Sequence, residues 1–90
     1  IESGETNFEL QAGVIAKQVL DKILADYPDG EVSTLDGIAV DFPDWRFSIR
    51  SSNTEPLMRL NVEGQEKNAV MGKVKELGDK IIAQGAHVKI

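Results

Sequence analysis

Ninety residues set a single domain with one modest core, because a chain this short buries roughly 60–65% of its unfolded surface. Ten Lys and Arg against fifteen Asp and Glu leave a net charge of −5, which argues against a nucleic-acid binder with its basic stripe. The chain has no cysteine, which excludes disulfides, thiolate nucleophiles and cysteine–zinc sites, and no apolar run approaches the roughly 18 residues that a membrane span needs.

Residues 1–6 are polar and predict an incoming linker, and a start at Ile1 without Met predicts a piece of a longer protein. Asn7-Phe8-Glu9-Leu10 alternates, which predicts a strand with Phe8 and Leu10 on one face. The rival is a helix opened by a capping box at Thr6-x-x-Glu9, but Gly13 would then fall inside it. A helix is expected over 12–27, with Val14, Ile15, Val19, Leu20, Ile23, Leu24 and Tyr27 on its apolar face. Lys17, Gln18, Asp21 and Lys22 take the opposite side, and Pro28-Asp29-Gly30 ends it.

Strands over 32–35 and 38–42 are joined through Asp36-Gly37, a hairpin signal. After a turn at Asp41-Phe42-Pro43-Asp44, the clearest strands cover 45–50 and 57–63. Phe47 and Ile49 alternate with Arg46, Ser48 and Arg50 in the first, and Met58, Leu60 and Val62 with Leu57, Arg59, Asn61 and Glu63 in the second. A second helix is expected over 66–84, built on Val70, Val74, Leu77 and Ile81 and flanked by Met71 and Ile82. Gly72 and Gly78 weaken it by roughly 1 kcal/mol each, which predicts a close approach to the sheet. Gly85 reads as the cap, and His87-Val88-Lys89-Ile90 as a short strand or a frayed tail. The fold class is α+β: an antiparallel sheet of about four strands with two helices on one face, in the order β-α-β-β-β-α.

The chemistry concentrates in Arg50-Ser51-Ser52-Asn53-Thr54-Glu55-Pro56. Ser52 and Thr54 offer hydroxyls, Asn53 an amide, and a tight loop turns backbone N–H groups outward; together these suit an oxyanion. Pro56 stiffens the exit. If Phe47, Ile49, Met58 and Leu60 face the core, Arg50 and Arg59 leave the other face beside the same loop. Two guanidinium forks there suit a phosphate dianion. The plainer alternative is a hydrophilic turn whose arginines pair with acids, Glu55 and Glu63 being the candidates.

The pattern Arg50-x-Ser52-Asn53-Thr54-Glu55-Pro56-x-x-Arg59, followed by Asn61-Val62-Glu63, resembles the phosphate-binding loop in the fourth, C-terminal domain of the α-D-phosphohexomutases. Ser33-Thr34-Leu35-Asp36-Gly37 and Val40-Asp41-Phe42 also resemble that domain, and Ser3-Gly4-Glu5-x-Asn7-Phe8 resembles the hinge that leads into it, so residues 7–90 would be the domain itself. Asn53 is similar to the phosphomannomutase/phosphoglucomutase branch, whereas the phosphoglucosamine branch usually carries Gly. The resemblance implies an isomerase of cytoplasmic carbohydrate metabolism that interconverts mannose or glucose 1- and 6-phosphates through a phosphoserine and a bisphosphorylated sugar. It implies that Arg50, Ser52, Asn53, Thr54 and Arg59 hold the phosphate that is not reacting. Ser51 would give backbone support, and Glu55 would orient an arginine. The nucleophilic serine, the sugar-reading loop and the Mg2+ loop would belong to other domains of the same chain, leaving this one inert alone, with no catalytic residue and no metal of its own.

A reading from another class remains: a stand-alone interaction domain that offers Arg46, Ser48, Asn61 and Glu63 to a protein partner. The single His87 reads as a surface histidine, and Asp26, Asp29, Asp41 and Asp44 as solvated turns rather than a cation site. Trp45 could stack on a sugar, but packing at the sheet edge is the simpler role.

Overall fold

The structure is a computed structural model that describes residues 1–34, 37–52 and 54–89. Its elements are β1 (Thr6–Leu10), α1 (Ala16–Ala25), β2 (Glu31–Ser33), β3 (Ile38–Asp41), β4 (Trp45–Ser51), β5 (Leu57–Gly64), α2 (Lys67–Ala83) and β6 (Ala86–Val88). The described residues form one sheet in the order β2-β3-β4-β5-β1-β6, with every neighbouring pair antiparallel. The fold is α+β as expected, but with six strands rather than about four, in the order β-α-β-β-β-β-α-β. β2 overlaps the strand expected over 32–35 and β6 overlaps 87–90, one of whose two readings is a short strand, so the count of about four falls short of the strands the residues themselves suggest. Both are three-residue edge strands; β2 buries none of its residues and β6 buries only Ala86.

Alternation in the inner strands decides which side is dry. Phe8 and Leu10, Ile38 and Val40, Phe47 and Ile49, and Met58, Leu60 and Val62 are all buried. The same cluster takes in Val19, Leu20 and Ile23 from α1, and Val70, Leu77 and Ile81 from α2. Burying side chains of this size contributes roughly 1.5–3 kcal/mol each. The other face of the sheet carries the polar half of each strand.

The first helix is shorter than its periodicity predicts. Gly13 takes φ +89, and Ile15 stays extended as the N-cap, so α1 starts at Ala16 and Ile15 is 55% exposed rather than part of the core face. The second helix matches expectation closely. Glu66 caps it by accepting from the Asn68 N–H at 3.2 Å, and Gly85, at φ +105, leads the chain out into β6. Met71 and Ile82, expected to flank the buried stripe, point to solvent.

The two helix glycines do not bear out a close approach. A Cβ at Gly72 would meet nothing within 4 Å, and one at Gly78 would make ordinary contact with Phe8 at 3.5 Å. Nothing in the structure explains Gly72.

At the start of β4, Trp45 stacks on Phe42 with ring centroids 4.6 Å apart, and Tyr27 meets both rings edge-on. Trp45 therefore packs against neighbouring aromatic rings. The Tyr27 hydroxyl donates to Glu76 across the seam between the helices. Burial and this carboxylate push the phenol well above its ordinary pKa, while the same hydrogen bond holds Glu76 below the usual carboxylate range. Of residues 1–6, the expected linker, Thr6 already belongs to β1 and residues 1–3 lie along β5: the Ser3 N–H donates to Val62 O at 2.8 Å, and Asn61 donates to Glu2 at 2.8 Å.

Candidate anion site at the end of the β4–β5 hairpin

The β4–β5 ladder pairs Arg46 with Glu63, Phe47 with Val62, Ser48 with Asn61, Ile49 with Leu60, Arg50 with Arg59 and Ser51 with Met58. Since Phe47, Ile49, Met58 and Leu60 are buried, the parity of the strands sends Arg50 and Arg59 to the opposite, wet face. They stand directly across from each other, where like charges destabilise a ladder.

The loop that closes the hairpin is tied to itself. The Ser52 N–H donates to Leu57 O at 3.1 Å, and Ser52 Oγ accepts from the Thr54 N–H at 3.3 Å and the Glu55 N–H at 3.2 Å. Ser52 Oγ also lies 3.4 Å from Thr54 Oγ1. The Leu57 N–H donates to Glu55 O at 2.8 Å, and the Leu10 N–H donates to Pro56 O at 2.7 Å, which fastens the loop exit to β1. A pocket of about 300 Å³ opens here, lined by Arg50, Ser51, Ser52, Glu55, Leu57 and Arg59.

Of the residues singled out in the sequence, the fold therefore gathers Arg50, Ser52 and Arg59 around one hollow, with Ser51 and Glu55 beside them. Thr54 sits in the same loop through its bond to Ser52, and Asn53 lies outside the described residues. Among the described residues Arg59 makes no ion pair with Glu55 or Glu63; Glu63 instead lies 3.9 Å from Arg46, whose Nε is 2.9 Å from Asp41. Arg46 thus follows the pairing expected of a strand arginine.

Two contributors were not read from the sequence. Leu57 supplies an apolar wall, which its outward parity implied. Gly37 lets the β2–β3 turn rest on β4: a Cβ there would lie 2.3 Å from Ile49 O and 3.0 Å from Arg50 Cα, and its φ is +80. The Asp36-Gly37 signal marked a turn but carried no trace of this approach; Leu35 and Asp36 lie outside the described residues.

Elsewhere the chemistry is thinner. A larger hollow of about 500 Å³ beside the start of α1 offers one base, Lys22, next to one acid, Asp21, and so does not match an anion. His87 Nε2 lies 3.2 Å from Glu9 on the wet face of the sheet. Among the described residues no three His, Asp or Glu side chains gather as cation ligands. No described helix is long and apolar enough to cross a membrane. Arg46, Glu63 and Asn61, three of the four residues offered to a protein partner in the alternative reading, are engaged with Asp41, one another and Glu2.

Fold and site together define a small α+β domain whose most concentrated polar feature is a hairpin end with paired arginines. Residues 5–80 match the family described as "Phosphoglucomutase/phosphomannomutase, C-terminal domain", and the chain belongs to that family. It is 44% identical over 78 residues to a phosphomannomutase of Vibrio cholerae, a match covering 83% of this chain and 16% of that protein. It is 46% identical over 71 residues to a protein of Xanthomonas campestris named "Phosphohexose mutases", covering 77% of this chain and 15% of that one. A crystal structure of a phosphoglucomutase/phosphomannomutase family protein from Burkholderia thailandensis superimposes with a TM-score of 0.66 at 28% identity, covering all of this chain and 19% of that one. The chain thus spans about a sixth of the length of the curated relatives it matches.

Proposed function

We propose that this chain is the phosphate-gripping C-terminal domain of a phosphohexomutase that interconverts hexose 1-phosphates and 6-phosphates. The observation that carries the reading is the register that sets Arg50 opposite Arg59 above a pocket walled by Ser51, Ser52 and Glu55. A dianion between two guanidinium groups relieves their repulsion and accepts charge-assisted, bidentate hydrogen bonds from both. The Ser52 hydroxyl and the Asn53 and Thr54 side chains complete the seat in this reading.

The role is positioning. Energy gained on the phosphate that is not reacting orients the one that is, and no proton need move within this domain. A grip that reads little beyond the phosphate itself suits an intermediate that carries phosphate at both ends and must turn over in the site. Closing this domain on the substrate would also exclude water. The phosphoserine, the sugar contacts and magnesium belong in this proposal to the rest of a cytoplasmic enzyme. The described residues include no acidic grouping that fits the metal, and no step here passes through it.

The test is an NMR titration of the 90-residue chain with inorganic phosphate. The amides of Ser51, Ser52, Thr54 and Glu55 should shift with a dissociation constant of about a millimolar, since one domain supplies only part of the site. Arg59→Ala should weaken the response at least tenfold. Amides that stay still at tens of millimolar phosphate in the unaltered chain would falsify the assignment.

A further inference from the structure

Among the described residues Glu55 is the one acid that lines the pocket with the two arginines. Its backbone is held at both ends. The N–H donates to Ser52 Oγ at 3.2 Å and the carbonyl accepts from Leu57 at 2.8 Å, with the rigid Pro56 next in sequence. The root of its side chain is thus fixed at the rim, while the carboxylate makes no ion pair with Arg59 among the described residues. A fixed negative charge beside an anion seat is unhelpful if affinity is the only requirement.

We propose that Glu55 is an affinity-tuning residue that keeps phosphate binding weak: its charge opposes the dianion that Arg50 and Arg59 attract. The inference rests on the phosphate reading above and adds the sign of the acid's contribution. A mutase intermediate must leave the seat and return by its other end. Holding substrate and transition state equally tightly accelerates nothing once the site is filled. A nearby carboxylate trims that uniform grip without disturbing the arginine geometry. At a separation of about 7 Å in water, a unit charge changes the affinity of a dianion by several-fold without salt and by about threefold at 0.1 M salt.

The experiment compares the unaltered chain, Glu55→Gln and Arg59→Ala in titrations with methyl phosphate at pH 8, in 0.02 M and 0.3 M salt, conditions chosen to bracket the screening range. Glu55→Gln should bind about threefold to sixfold more tightly at low salt, and the gain should shrink toward unity at high salt. If the acid instead orients an arginine, the same substitution weakens binding. Weakened or unchanged binding in Glu55→Gln, beside a loss in Arg59→Ala, overturns this proposal and leaves the phosphate reading standing. A gain of equal size at both salts overturns it as well, because shape rather than charge would then be responsible. If the unaltered chain binds no methyl phosphate, both the reading and this inference fall.

Discussion

The two ends of the outward face of β4 treat arginine in opposite ways. At the start of the strand, Arg46 stands between Asp41 on β3 and Glu63 on β5, so each neighbouring strand presents an acid to it. At the end, Arg50 meets Arg59 directly across the ladder. Residue type, face and strand are the same, and the partner across the β4–β5 ladder differs. The first pairing is the one that favours the ladder. The second sets two like charges across the ladder where the loop closes, and departures of that kind concentrate at functional sites. The contrast weighs against reading the Arg50 end as another solvated turn.

The strongest way to break the contrast is to disturb what holds Arg50 in place. Gly37 presses the β2–β3 turn onto the backbone at Ile49 and Arg50, at φ +80 and with no space for a Cβ. Gly37→Ala should therefore cost about 2–4 kcal/mol in urea unfolding, combining a left-handed residue with a backbone clash. A loss under about 1 kcal/mol would mean that the turn does not lean on β4 at this point.

Arg59→Glu converts the second end into the first. The new pair opposite Arg50 should raise stability by about 0.5 kcal/mol, within the range for cross-strand pairs, while the phosphate response of the loop disappears. Opposite signs for stability and binding are the signature of a site that trades one for the other. A variant that loses both would show instead that Arg59 is there for the fold.

The comparison was half legible in the sequence. Parity placed Arg50 and Arg59 on one face because Phe47, Ile49, Met58 and Leu60 alternate without interruption, and a one-residue slip would have buried the arginines. The hydroxyl-rich loop between them could not be core. What parity could not supply was register: whether Arg50 faces Arg59 or Glu63 depends on where the hairpin closes, and six loop residues allow several answers. The Gly37 approach was illegible for a related reason. It depends on the height at which one turn crosses another strand, and local sequence does not encode that. The edge strands are placed only approximately, β2 at 31–33 against an expected 32–35 and β6 at 86–88 against 87–90, because three residues carry no period, and α1 is read too long because Val14 and Ile15 continue its spacing through a stretch that Gly13 diverts.

The smallest expected effect is also the control. Arg46 is half exposed, with its acids at 2.9 and 3.9 Å, so its pairs lie in a well-solvated setting where each contributes at most about 1 kcal/mol. Arg46→Ala should lower stability by about 0.5 kcal/mol and leave the phosphate shifts of Ser51 to Glu55 unchanged. Four residues along a strand place Arg46 about 13 Å from Arg50, beyond a Debye length at ordinary salt. Removing a charge at that distance should not be felt by an anion gripped at the loop. If Arg46→Ala weakens phosphate as much as Arg59→Ala does, the anion is sensing the summed field of the face, and the case for a seat built from two opposed arginines is lost.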